Sequence, residues 1–159
     1  MKKTTFIFGL ALLIFVSVGW ECSVTTANIS DIKFATDKEG KSVVTSIDTG
    51  KMVYAIVDAT GIPSGKHKVN FKVTFDNVAG KTKGDKLGDQ AIDLPSSGTV
   101  WTNMTAVLPG DYKVEATLTD DSGKTIATKT GTIKVTGSAP AAPAPADDKK
   151  TDDSKDDDN

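Results

Sequence analysis

LPGDYKVEATLTDDSGK, residues 108–124, carries the reading that decides the fold. From Tyr112 the chain alternates strictly, with Tyr112, Val114, Ala116 and Leu118 on one side and Lys113, Glu115, Thr117 and Thr119 on the other. A period of two with one apolar row is the pattern of a half-buried β-strand. Asp120-Asp121-Ser122-Gly123 follows as a hairpin loop with glycine at the left-handed position. Working outward, the same period recurs. Val69, Phe71, Val73 and Phe75 oppose Asn70, Lys72 and Thr74, while Val100, Met104, Ala106 and Leu108 form a row that Thr102 interrupts. Ile126, Ile133 and Val135 close the set, Ile32 and Phe34 open it, and Met52 to Val57 is apolar at every position, as a central strand requires. Five Gly-Lys pairs, at Gly40, Gly50, Gly65, Gly80 and Gly123, sit mostly at strand ends. Their irregular spacing reads as turns with positive φ and not as an internal repeat. Between residues 27 and 137 no helical period is sustained. Roughly seven strands in about 110 residues predict an all-β fold of two antiparallel sheets packed face to face.

Within this frame Leu108-Pro109-Gly110-Asp111-Tyr112-Lys113-Val114 resembles the entry to strand F of immunoglobulin-like and fibronectin type III-like domains. There a tyrosine corner locks the sandwich, its ring filling the end of the core and its hydroxyl bonding back to the upstream backbone. The resemblance makes Tyr112 a structural residue. It covers residues 28–136 and is closest to the small Ig-like domains of bacterial envelope lipoproteins. The chain departs from the pattern in having no cysteine pair between sheets and no tryptophan on the third strand. Fold resemblance of this kind specifies no activity.

Ahead of the sandwich, Lys2-Lys3 and the thirteen-residue apolar run Phe6 to Val18 match a secretory signal and are too short for an ordinary spanning helix. The chain's one cysteine, Cys22, lies just beyond. One reading makes Cys22 the lipidated first residue of a bacterial lipoprotein, with residues 1–21 removed as signal and 22–27 as a short linker. Gly19 and Glu21 depart from the usual lipobox, which has Leu and a small residue there. A second reading has signal peptidase cut before Trp20, with Ser17 and Gly19 as the small residues; a third leaves the segment uncleaved as an anchor. An unpaired thiol is unusual in an oxidising compartment, which favours the lipid anchor. All three place the body outside the cytoplasm, in the envelope, at the periplasm or cell surface.

At the other end, residues 137–159 form a Pro/Ala linker and an acidic tail. SAPAAPAPA, residues 138–146, favours an extended spacer, and DDKKTDDSKDDDN, with seven Asp and three Lys, has no apolar residue to fold around. The tail is read as disordered and solubilising, with any Ca²⁺ binding weak. Residues 20–146 hold fourteen Lys and fourteen acids, so the body is neutral, and the chain has no Arg. Neutrality without arginine argues against a nucleic-acid partner.

One His and one Cys remove most routes to a transition-metal site or a His-dependent triad, so no catalytic, metal or cofactor site is assigned. His67, between Lys66 and Lys68, reads as an exposed strand-end histidine. The stretch Asp76 to Asp89 is the longest polar connection, and its Lys81, Lys83 and Lys86 mark either a plain loop, the favoured reading, or a contact for an acidic partner. Trp101 faces away from the Val100–Met104 row if alternation holds, as a stacking platform would; a bulge or sheet edge would bury it, and burial is favoured. The leading expectation is an exported, lipid-anchored, non-enzymatic envelope protein whose Ig-like domain binds another protein or serves a structural role. The alternative is a carbohydrate-binding or adhesive module using Trp101.

Overall fold

The computed structural model describes residues 27–138. The signal segment, Cys22, most of the 22–27 linker and nearly all of the tail lie outside the described residues. Among the described residues nine strands run in chain order: β1 (Asn28–Ile29), β2 (Lys33–Ala35), β3 (Ser46–Asp48), β4 (Met52–Thr60), β5 (His67–Val78), β6 (Lys86–Leu94), β7 (Gly98–Thr105), β8 (Gly110–Thr119) and β9 (Thr125–Thr136).

They form two sheets. In the first, β1 and β2 lie in succession along one edge of β4, and β7 pairs with the other edge. The second runs β3-β9-β8-β5-β6. All pairs are antiparallel except β3 with β9, where Ser46–Asp48 runs parallel to Lys134–Thr136. Packed face to face, the sheets make an immunoglobulin-like sandwich. The count exceeds roughly seven because β1 and β3 are too short for a visible period, and because β6 is an edge strand that turns little toward the core. Of β6 only Leu94 is buried.

The core is built from the alternating rows. Val53, Ala55, Val57 and Ala59 of β4 and Val100 and Met104 of β7 meet Val69, Phe71 and Val73 of β5, Val114, Ala116 and Leu118 of β8, and Ile133 and Val135 of β9. Each fully buried aliphatic side chain contributes about 1.5–3 kcal/mol. Tyr112 is 1% exposed and its hydroxyl donates to the Leu108 carbonyl at 2.8 Å, while its ring packs tilted against Phe75 at 5.7 Å. All five Gly-Lys glycines have positive φ, from +64 to +143 across the glycines in this group of turns and Gly61. At the last hairpin Gly123 has φ +81 and Asp120 accepts from the Ser122 and Lys124 amides at 3.0 and 2.9 Å.

The two long sides of the sandwich differ. On one, Phe34 and Ile32 pack so closely over Gly131 that a Cβ there would lie 3.0 and 3.1 Å from them. On the other, β6 and β7 are joined among the described residues by one side-chain hydrogen bond, Thr102 Oγ1 to Gln90 Oε1 at 2.7 Å. That side opens into a cavity of about 340 Å³.

Candidate functional site: the outer face and edge of the first sheet

Strand β4 is apolar on both faces, and only one of them is core. Ile56 points away from the core cluster yet is 3% exposed. It lies opposite Trp101 on β7 and Lys33 on β2, and Gly40 comes so near that a Cβ there would be 3.3 Å from its Cδ1. The loop from Asp37 to Ser42 therefore folds over part of the outer face. It is held by the Asp37 carboxylate, which accepts from the Lys41 and Ser42 amides at 3.0 and 2.7 Å. The Lys41 amide holds the Asp37 carboxyl below its ordinary range.

Beyond that loop the outer face is open and aromatic. Trp101 is 38% exposed and meets Tyr54 edge to face, with centroids 5.4 Å apart and planes at 79°. Alternation continues through β7 without a bulge, so Trp101 points outward, contrary to the burial favoured from sequence. Burial needed a bulge or a covering sheet edge, and the ladder of β7 with β4 has no bulge. Further along β7 come Asn103 and Thr105, with exposed Met52 opposite Thr105, and exposed Val107 follows just past the strand. Asp58 lies on the same face, where the Thr99 hydroxyl donates to it at 2.6 Å. Tyr54 and Met52 were not singled out in the sequence, although the unbroken apolar run of residues 52–57 signals that the outer face of β4 has a use or a cover.

Half of the polar stretch from residue 76 to 89 is strand. Residues 76–78 end β5, residues 86–89 begin β6, and the turn between closes with Gly84 N–H donating to Phe75 C=O at 2.7 Å. The three lysines do not converge on one surface charge. Lys83 pairs with Asp76 at 2.6 Å, Lys86 with Asp89 at 3.2 Å, and the Lys81 ammonium stands 5.7 Å from the Phe75 ring centre.

His67 is a correction: it is buried, 6% exposed, and its Nδ1 has no hydrogen-bond partner among the described residues. The flanking lysines suggested exposure, but residue 67 has the same parity as Val69 and Phe71 and so faces inward. Among the described residues no three His, Cys, Asp or Glu side chains group to hold a metal ion.

No family model matches the sequence, and no curated protein aligns with it. Among solved structures, a CARDB domain from Pyrococcus furiosus, in complex with di-metal ions, is 16% identical, with 69% of this chain and 87% of that one covered and a TM-score of 0.45. The PmoD soluble domain from a Methylocystis species is 16% identical, with 68% and 90% covered and a TM-score of 0.40.

Proposed function

We propose that the chain is an exported, lipid-anchored, non-enzymatic envelope protein whose Ig-like domain binds another protein through the outer face of the first sheet, with Trp101 as anchor. One observation carries the binding reading: a tryptophan braced edge-on by Tyr54 stands exposed on a strand without a charged residue, with exposed Met52 further along the same ladder. Tryptophan and tyrosine are enriched among the residues that dominate protein interfaces. A sugar platform fits less well. The two rings stand nearly perpendicular, so they offer no continuous flat surface, and the Asp58 carboxylate is already engaged by Thr99.

Export and anchoring rest on the sequence alone, on the basic start, the apolar run and the lone Cys22 behind it. Metabolic labelling with a fatty-acid analogue tests the anchor. Cys22→Ala removes both label and membrane partitioning, and their retention overturns the lipid reading. For binding, crosslinked partners are recovered from the native envelope with the wild-type chain and are lost with Trp101→Ala. Quenching of tryptophan fluorescence by oligosaccharides, abolished by the same substitution, would instead establish the carbohydrate-binding reading.

A further inference from the structure

Strand β7 is an edge strand, and among the described residues its outer side makes no backbone hydrogen bond. Such an edge is a template for another strand, and proteins ordinarily blunt it with charge, proline, a bulge or brevity. Here the other edges show those devices: β1 has two residues, β2 carries Lys33, β3 carries Asp48, and β6 carries Lys86, Asp89 and Asp93, with a register shift in its ladder with β5. Gly98–Thr105, GTVWTNMT, has none: eight residues, no charge, no proline and an unbroken register with β4.

Beneath that edge lies the open side of the sandwich. Its cavity of about 340 Å³ has Phe71, Val73 and Met104 as apolar walls. It exists because β6 under-fills its inward row: Gly88 opposes Val73, Gln90 opposes Phe71, and a Cβ on Gly88 would meet nothing within 4 Å. A strand glycine often marks the close approach of a ligand or another backbone.

We propose that the β7 edge accepts an uncharged extended peptide strand from a partner protein, whose alternate apolar side chains enter the slot between β7 and β6. This rests on the protein-binding reading and names its mode. Charge selects the occupant. The edge is neutral, Asp89 is the one charged residue lining the slot among the described residues, and Lys86 pairs with it at 3.2 Å, so a charged inward residue finds no free counter-ion. Area selects it too. A second folded copy meeting this edge would touch along eight residues only, a poor route to the 1,200–2,000 Å² or so of a stable interface. An inserted strand is held by the edge and by the slot together.

The test uses the full-length ¹⁵N-labelled chain and the peptide Lys-(Val-Thr)₄-Lys, with a control peptide in which two central Thr are Pro and cannot donate. The Val-Thr peptide binds and slows amide exchange along β7, and the Pro peptide binds at least tenfold more weakly. Gly88→Leu, which fills the slot, weakens binding at least tenfold, while Gly88→Ala changes it less than threefold. Thr105→Lys, which adds charge to the exposed edge at the rim of the slot, gives the same loss should Gly88→Leu fail to fold. Equal binding of the Pro peptide, unchanged β7 exchange, or full affinity in folded Gly88→Leu overturns the proposal. Protection of β7 that rises with protein concentration in the absence of peptide overturns it in favour of self-pairing. If these fail while Trp101-dependent partner capture persists, strand addition is wrong and the protein-binding reading stands.

Discussion

Removing one oxygen, in Tyr112→Phe, tests the lock at the end of the core. The ring is fully buried and its hydroxyl donates to the Leu108 carbonyl at 2.8 Å across the turn into β8. Phenylalanine keeps the ring and its packing against Phe75 and leaves that carbonyl without its donor. A buried hydrogen bond removed from one side costs about 1–2 kcal/mol. For a domain of this size the melting temperature falls by about 4 °C per kcal/mol, and Tyr112→Ala, which also loses the ring, costs about 3–5 kcal/mol. The pH dependence supplies a second signature. Burial raises the Tyr112 pKa above the ordinary 10.0. The unfolded phenol therefore ionises first, the unfolded state binds fewer protons, and stability is full below pH 10.0 and lost as pH rises toward the folded value. Chemical denaturation from pH 8 to 11 or so shows this as an alkaline decline steeper in wild type than in Tyr112→Phe. A loss below a few tenths of a kcal/mol, with identical alkaline limbs, would refute the lock.

Three further outcomes follow from the same geometry. Gly110→Ala destabilises by at least about 2 kcal/mol, because φ is +141 and a Cβ would lie 2.8 Å from the Val78 Cα and closer still to the Asn77 carbonyl oxygen; thermal melts check this. The carboxyl pKa values of Asp37 and Asp120 are lowered, chiefly by the Lys41 amide and by the Ser122 side chain respectively, so the stability they contribute is present above pH 3.8 and is lost as pH falls through their lower folded values. Asp37→Asn and Asp120→Asn therefore flatten the acid limb of a denaturation series. Trp101→Ala removes a half-covered ring packed on Tyr54 and costs about 1–3 kcal/mol, while the core rows stay intact, so thermal melts still show a cooperative fold and its loss of partner capture is not a loss of fold.

Much of the fold was legible because its signals are local. Tyr112 was marked by the LPGDYKV turn, the core rows by parity, and the Gly-Lys turns by a residue type that tolerates positive φ. Strand β6 was hidden because an edge strand that faces little core can be mostly polar, and its first four residues, 86–89, read as the end of the polar connection from Asp76. His67 is buried because it shares parity with Val69, a signal that its two lysine neighbours mask in the sequence. The outward direction of Trp101 was readable from parity, but its exposure depended on the 37–42 loop stopping short of it, a tertiary fact. The slot under β7 was not readable at all. It depends on Gly88 falling opposite Val73, and that register is set by a shift in the β5–β6 ladder.

If this protein meets a partner at the outer face and edge of the first sheet, site-specific photo-crosslinking in intact cells captures that partner there. A photoreactive residue at Asn103, exposed on β7 two positions from Trp101, is compared with one at Lys72, exposed on β5 of the other sheet. A discrete protein adduct then forms from position 103 and disappears with Trp101→Ala, and none forms from position 72. Equal adducts from both positions, or an adduct from position 72 alone, would contradict it.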